Sequence, residues 1–582
     1  MSKFFVTNNK SWYQKLKDNI CNSLFKIYGD YADDGIFAIS TQKLQIDNIN
    51  FLQNGHDFII QTGTCVYKEK SGKDALNNAL IDFLGDVQTH RESYMGNWGC
   101  FIKKGSSMVA FNEGAGFYNI FYYQKNGKWL VGTNLIDIAR LVSDSITINK
   151  LNVLEKLTRY AIFDNDTYFN EVKRLSGDQY LKLTRDNLAL GDLDLEIAQE
   201  NPTDYDKRAK DIAREMKYIA SVMYKNFSQP TIGCTGGFDS RMTLAAYLAA
   251  GIKPKIAYGY GSSSLAPSMK GDVDVNNVFS KRYGLDFNLV PWNETEPIDK
   301  LWDEYIENYG ELMYDGCEDA YKFHTNPKEK FLSFGYIGEI YREADWSKNI
   351  AKDKITLNDY LWGNHAICNR NIIEKNTHLV YHWLQKWEKL NKKHGINNTH
   401  FEKRDLFWLL LAYRSSADNH MVNIVNQFKY AHYLMSDMRI LRNGYVDFEK
   451  KYNGCYMLQI LKEVYPDILN VPFFTHCQHM HFNPHKMQLE KTRRDSFRTK
   501  ITGIIPNDIK KIIKKILMQK NAKPQYINGA YSLLEKDNNE EKLLRLVGKD
   551  VLESIELNNY NLTFIIRGII LCKTFDFIGI KY

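Results

Sequence analysis

Cys234-Thr235-Gly236-Gly237-Phe238-Asp239-Ser240-Arg241 follows a short apolar run, Thr231-Ile232-Gly233, and opens a helical stretch from Asp239 to Ala250 that Gly251 closes. Lys255-Ile256-Ala257-Tyr258-Gly259 comes next and reads as a strand, so the segment is a βαβ unit. The pattern repeats downstream. A second helix is expected from Asp272 to Tyr283, stopped by Gly284, and strands at Phe287-Asn288-Leu289-Val290 and Lys330-Phe331-Leu332-Ser333, the last leading into Gly335. Strands that alternate with helices build an open, doubly wound, mainly parallel α/β sheet, because each parallel connection needs a helical crossover.

The loop carries the chemistry. A glycine turn between a strand and a helix N-terminus presents backbone N–H groups as an anion cradle, and phosphate is its natural guest. Gly236 and Gly237 let the backbone approach the oxygens, Thr235 and Ser240 offer hydroxyls, and Asp239 can hold a Mg²⁺ that bridges phosphates. The Gly-Lys-Ser/Thr of a Walker loop is absent. Taken alone, two glycines before Asp-Ser equally suit a turn or a helix cap; the strand before and the helix after favour the phosphate reading.

Upstream the pattern changes. The first 190 or so residues carry short strand-like runs, among them Phe58-Ile59-Ile60, Phe101-Ile102-Lys103, Met108-Val109-Ala110-Phe111, Phe121-Tyr122-Tyr123 and Trp129-Leu130-Val131, with turns such as Lys125-Asn126-Gly127. This region reads as an antiparallel β domain with a few helices. Periodicity lapses over residues 192–204. A helix is then expected from Tyr205 to Phe227, with Ile212, Met216, Ile219, Ala220 and Met223 on one face, which puts a domain boundary near residue 195. Helices dominate beyond about residue 355, for instance Leu406 to Leu411 and Asn453 to Val464, and no internal repeat is visible.

Composition agrees with at least two domains. The chain has 582 residues, 44% hydrophobic and 25% charged, whereas single cores stop growing near ~250–300 residues. Nine scattered cysteines without a Cys-x-x-Cys pair argue against a disulfide framework or a structural zinc site. His476-Cys477-Gln478-His479-Met480-His481 matches no ligand template and reads as a polar loop or rim. The N-terminus lacks an apolar leader, and Leu562 to Ile580 is broken by Arg567, Lys573 and Asp576, so a cytoplasmic protein without a transmembrane segment is expected. Positive charge is local: residues 486–523 hold 12 Lys and Arg against three acids, so the rest of a chain of net charge +7 is slightly acidic. Within that segment Pro506 to Lys520 reads as a helix with Ile509, Ile512, Ile513, Ile516 and Leu517 on one face and Lys510, Lys511, Lys514 and Lys515 on or beside the other. That face is either simply solvated or a site for an anionic surface or acidic partner. No nucleic-acid module accompanies it.

The loop resembles the Ser-Gly-Gly-x-Asp-Ser pyrophosphatase loop of the asparagine synthetase-like family, with Thr235 in place of the first Ser. Asp272 with Gly284 is similar to the family's Asp-led helix, and Leu332-Ser333 with Gly338-Glu339-Ile340-Tyr341 lies where the family has Ser-Gly-Glu-Gly-x-Asp-Glu. Gly96-Asn97-Trp98-Gly99, Gly116-Phe117-Tyr118 with Phe121-Tyr122-Tyr123, and Gly132-Thr133-Asn134 resemble the family's N-terminal amidotransferase-type domain, and Thr167-Tyr168-Phe169 with Val172-Lys173-Arg174-Leu175 its exit segment. The resemblance covers roughly residues 50–475. It implies a degenerate glutamine amidotransferase-type (Ntn-like) antiparallel sandwich at 1–195, an ATP-pyrophosphatase (HUP-like) domain at 196–480, and a basic helical extension at 481–582.

It also implies a reaction: ATP on Thr235, Gly236, Gly237, Asp239 and Ser240, adenine near Ala257 and Tyr258, Gly335 lining the site, Mg²⁺ on Asp239, and an acyl-adenylate captured by an amine. Asp239, Glu339 and Arg241 are the catalytic candidates. The partners implied are a small-molecule, peptide or sugar carboxylate and an amine donor. The departures are specific. Ser2 stands where glutamine-using members have Cys, so no glutaminase activity is expected. Gly338 replaces the second metal-binding Asp, and Val471-Pro472-Phe473 occupies the region of the family's Arg-x-Lys, which leaves Arg241 and Arg342 to supply the missing positive charge or to serve in structural ion pairs. Lasso-peptide cyclases and β-lactam synthetases share the glutaminase loss. A non-catalytic scaffold on the same fold and an adenylating enzyme of another kind are the competing readings.

Overall fold

A computed structural model describes residues 2–159, 161–196, 204–261, 267–292, 306, 329–341, 377–397, 411–412, 415–416, 419–443, 454–475, 478–491, 538–553 and 559–581. The N-terminal part holds two six-stranded antiparallel sheets. One runs Val172–Arg174, Phe121–Lys125, Lys128–Gly132, Phe4–Thr7, Ile36–Thr41, Ile27–Asp33; the other Leu188–Asp192, Gln179–Leu183, Ser107–Asn112, Tyr94–Lys104, Asp57–Tyr67, Phe51–Asn54. Their inner faces share a core of Phe4, Val6, Phe58, Ile60, Phe101, Trp129 and Val131. The alternate residues point outward and are buried too: Phe5 and Leu130 under the helices Lys10–Cys21 and Leu135–Leu141, Ile59 and Ile102 under the helix Gly72–Asp82. Helices on both outer faces explain why these strands read as continuous apolar runs. The turn at Asn126-Gly127 has φ of 52° and 73°, the two left-handed residues of a tight hairpin.

The helix Tyr205–Phe227 starts where Asp204 accepts a bond from the Lys207 N–H, and it buries the expected stripe of Ile212, Met216, Ile219, Ala220 and Met223. It packs on a five-stranded sheet, parallel throughout, ordered Phe287–Trp292, Lys255–Gly261, Thr231–Gly233, Phe331–Phe334, Tyr430–Tyr433. The fold is therefore the antiparallel sandwich plus doubly wound α/β class expected from the sequence. Three local expectations are corrected. The helix expected from Asp272 begins at Pro267, which suits a first helical position, so Asp272 lies within the helix. The stretch read as helical supplies the fifth strand, Tyr430–Tyr433, four residues with no strand periodicity that are held by pairing to Phe331–Phe334. Around the histidine cluster, Gln478–Asn483 is the middle strand of a small antiparallel sheet between Phe473–Thr475 and Gln488–Lys491; His476 and Cys477 lie outside the described residues.

The helices Asn539–Val547 and Asn559–Ile578 return to the N-terminal half, and Phe564, Ile569 and Phe575 join its outer core. Among the described residues no helix is long and apolar enough to cross a membrane. The lysine helix expected at 506–520, Arg342, and most of 406–411 lie outside the described residues.

A buried charge cluster ties the helix Lys150–Arg159 to the helix Thr377–Lys393. Lys386 Nζ lies 2.6 Å from Glu155 Oε2 and 3.0 Å from Asp166 Oδ2, and the Asn152 side-chain oxygen accepts from Lys386 at 2.8 Å. Removing one partner strands the other charge, at a cost of about 3–5 kcal/mol. Lys386→Met is therefore expected to lower the urea midpoint sharply, and Lys386→Met combined with Glu155→Leu to recover much of it. A single variant as stable as wild type would show the cluster to be energetically idle.

Candidate functional site

Thr231–Gly233 is the central strand, and the chain order reverses beside it: one neighbour begins the run toward Phe287–Trp292, the other the run toward Tyr430–Tyr433. Ligand crevices of open α/β sheets form at the carboxyl end of such a switch point. Residues 234–238 sit there, between this strand and the helix Asp239–Ala249, which Asp239 and Ser240 begin.

The loop is held from within. Ser240 Oγ accepts from the Thr235 N–H at 2.9 Å and lies 3.1 Å from Thr235 Oγ1. Asn276 Nδ2 donates to Cys234 O at 2.8 Å, and Cys234 N–H donates to Ala257 O at 2.9 Å, which extends the parallel ladder by one step. Asp272 closes the far side: its Oδ1 accepts from the Gly236 N–H at 2.7 Å and its Oδ2 from the Tyr258 hydroxyl at 3.0 Å. Burial raises the Asp272 carboxyl above its ordinary range, and burial together with that carboxylate raises the Tyr258 phenol. Burial also pushes the Cys234 thiol up to about 12, so it stays protonated and unreactive at neutral pH.

Two glycines are required by close approach. A Cβ at position 335 would overlap the backbone of Asp239 and Ser240, so Gly335 is what lets the strand Phe331–Phe334 leave the sheet across the helix start. A Cβ at position 338 would overlap the Asp239 carboxylate. The position where the family carries a second acid is thus filled by the first one. Glu339 belongs to the 3-10 turn Gly338–Tyr341, and its side chain lies outside the described residues.

Of the residues singled out from sequence, Thr235, Gly236, Gly237, Asp239, Ser240 and Gly335 come together at the loop. Thr235 is exposed, Asp239 half-buried at the first helical position, and Ser240 buried. Ala257 is enclosed in the sheet, and Tyr258 faces Asp272. Arg241, expected either to supply missing positive charge or to form a structural ion pair, is fully enclosed: its guanidinium donates to Gly236 O, Ile468 O, Val471 O and Pro472 O and lies over the Phe473 ring. The side chain turns inward, where four backbone carbonyls take up the guanidinium N–H groups. Sequence reasoning missed Phe474, whose N–H donates to Gly236 O at 2.9 Å, because nothing in spacing links segments so far apart. Ser2, at the edge of the strand Phe4–Thr7, is 0% exposed with its hydroxyl unpartnered.

No family model and no curated protein matches the chain. Solved structures similar to it include glutamine phosphoribosylpyrophosphate (PRPP) amidotransferase from B. subtilis complexed with ADP and GMP, at 8% identity over 59% of this chain and 93% of that chain, TM-score 0.22. Another, described as the allosteric regulatory enzyme of purine biosynthesis, has 8% identity over 59% of this chain and 92% of that chain, TM-score 0.24. Likeness this loose carries no argument about chemistry.

Proposed function

We infer that the protein is an ATP-dependent, AMP-forming ligase that joins a carboxylate to an amine. The observation that carries this reading is the loop 235–240 at the carboxyl end of the central strand, with two hydroxyls, two glycines and Asp239 gathered at one helix start. The substrate carboxylate attacks the α-phosphorus of ATP, a C–O–P linkage forms, and the bond to the β-phosphate breaks. Pyrophosphate leaves toward the start of the helix Asp239–Ala249 and the hydroxyls of Thr235 and Ser240, which stabilise its charge. The amine then attacks the activated carbonyl, and AMP departs with the amide formed.

Asp239 fits a magnesium ion, because Mg²⁺ is commonly held by one or two carboxylates together with phosphate oxygens and water. Bound there, the ion would offset phosphate charge, and Asp239 would hold it at the loop mouth. The chain's own residues do the rest: Asp272 and Ser240 fix the loop backbone, and Gly335 and Gly338 bring the neighbouring strand end close enough to enclose it.

ATP–pyrophosphate exchange with pools of carboxylates tests the reading, since only an adenylating enzyme returns pyrophosphate label to ATP. Exchange with none of a broad set of amino-acid, peptide and sugar carboxylates, despite measurable ATP binding, would favour the scaffold reading. Geometry adds a sharper expectation. Gly338→Asp, which copies the family residue, displaces the Asp239 carboxylate and lowers exchange rather than raising it. Enhanced exchange in that variant would mean that Asp239 has room to share a metal with a second acid.

A further inference from the structure

Arg241 is a buried cation. Its side chain is 0% exposed, yet among the described residues no carboxylate lies within ion-pair distance of it. NH1 donates to Ile468 O at 3.0 Å and to Val471 O at 2.8 Å; NH2 donates to Pro472 O at 2.7 Å and to Gly236 O at 3.3 Å. The guanidinium carbon lies 3.5 Å from the Phe473 ring centroid and 4.8 Å from that of Phe279, and Nε has no partner. Carbonyl dipoles and aromatic faces solvate the charge without cancelling it. Burying an uncompensated charge is costly, so a fold that keeps one beside a particular loop points to what that loop receives.

The position is informative in a second way. Gly236 O is shared by Arg241 and the Phe474 N–H, while the Gly236 N–H is held by Asp272. One peptide of the cradle is therefore fixed at both ends, with the cation directly behind it. The same carbonyls that hold Arg241 bring the strand Phe473–Thr475 against the loop. A Cβ at Gly236 would stand 2.6 Å from Phe474 Cβ, and one at Gly271 would overlap the Phe474 ring, so both glycines are needed to admit this strand.

We propose that Arg241 is the buried counter-charge for the phosphates of the bound ligand: a positioning residue that touches no ligand atom, whose uncancelled charge behind Gly236 is balanced when a polyphosphate settles on residues 235–240. The inference rests on the reading of this loop as a nucleotide site and specifies what that site selects, namely ligands carrying two or more linked phosphates over uncharged nucleosides. Because the charge acts from a low-dielectric interior, its effect scales with ligand charge and survives salt better than that of a surface lysine.

The test is a charge ladder. Calorimetric titrations of the full chain use adenosine, AMP, MgATP and inorganic pyrophosphate. Arg241→Met is expected to weaken MgATP and pyrophosphate by on the order of 10–100-fold, AMP less, and adenosine not at all; Arg241→Lys restores most of the loss. Equal losses for adenosine and MgATP would show that Arg241 only shapes the loop and would overturn the proposal, as would a variant that binds every ligand like wild type. Phe474→Leu keeps the charge and loosens the same strand, so it decides the matter if the Arg241 variants do not fold. The ladder then stays as in wild type under the proposal, and collapses if strand clamping rather than charge sets affinity. Wild type that binds none of the phosphate ligands would instead remove the nucleotide reading itself, a result that requires no variant.

Discussion

Asp239→Asn is expected to lower ATP–pyrophosphate exchange by at least on the order of 10²-fold while leaving the fold in place. The carboxylate stands at the first position of the helix Asp239–Ala249, half-buried at the loop mouth and against Gly338. Asn has nearly the same shape and tolerates a helix start, and the lost attraction to the helix dipole is worth only about 0.3–1 kcal/mol. What changes is the capacity to hold a cation among phosphates: among the described residues position 338 has no room for a second acid, and Asp272 is spent on Gly236 and Tyr258. The check is exchange measured beside the melting curve. Near-normal exchange in a folded Asp239→Asn protein would remove this loop from the reaction, and a melting point lowered by many degrees would mean that the carboxylate is structural.

The second large effect is on stability in mild acid. His90, His382 and His432 are all held neutral in the folded protein, burial being the main cause, at about 4, about 4 and about 3. His432 is the extreme case: 0% exposed on the strand Tyr430–Tyr433, with neither ring nitrogen partnered. A histidine in the unfolded chain titrates near 6.5. The folded values are therefore depressed, the unfolded chain binds more protons below pH 6.5, and stability that is complete above that pH is lost as pH falls toward 4. Each residue contributes on the order of 3 kcal/mol across the window, while the buried carboxyls of Glu113, Asp272 and Glu329, all raised by burial, gain stability over the same fall in pH. The histidine contribution is therefore read as a difference: between pH 6.5 and pH 4.5 the urea midpoint of wild type is expected to fall relative to that of His432→Leu, above the range in which the paired carboxylates Asp166 and Asp178, whose values are depressed, give up their own contribution. His432→Leu should remove about one proton from the slope. Midpoints of wild type and His432→Leu that run parallel down to pH 4.5 would mean that this ring finds a proton or water inside the fold.

The sheet domain and its loop could be read from the chain because their signals are local. A strand, a glycine turn and a helix follow one another within residues 231–251, and an anion cradle is built from adjacent backbone groups. The strands of the sandwich were equally legible, since runs buried on both faces stay apolar at every position, and the stripe of the helix Tyr205–Phe227 repeats every third or fourth residue. The strand Tyr430–Tyr433 and the small sheet from Phe473 to Lys491 were not, because four to six residues of mixed polarity carry no period of their own and exist only by pairing with a neighbour. Residue type showed that Asp239, Ser240 and Thr235 belong together. It did not show that Asp272 would seal the Gly236 N–H, that Gly338 would be filled by the Asp239 carboxylate, or that Arg241 would turn away from solvent. Those outcomes depend on which backbone carbonyls and side chains from segments 36, 99 and some 230 residues away arrive beside the loop, roughly as |i−j| between Gly236 and Asp272, Asp239 and Gly338, and Arg241 and Val471. Local sequence sets which groups are available; only packing in three dimensions decides whether a charge meets water, an opposite charge or a ring of carbonyls, because the energy of a charge is set by the dielectric and the dipoles around it.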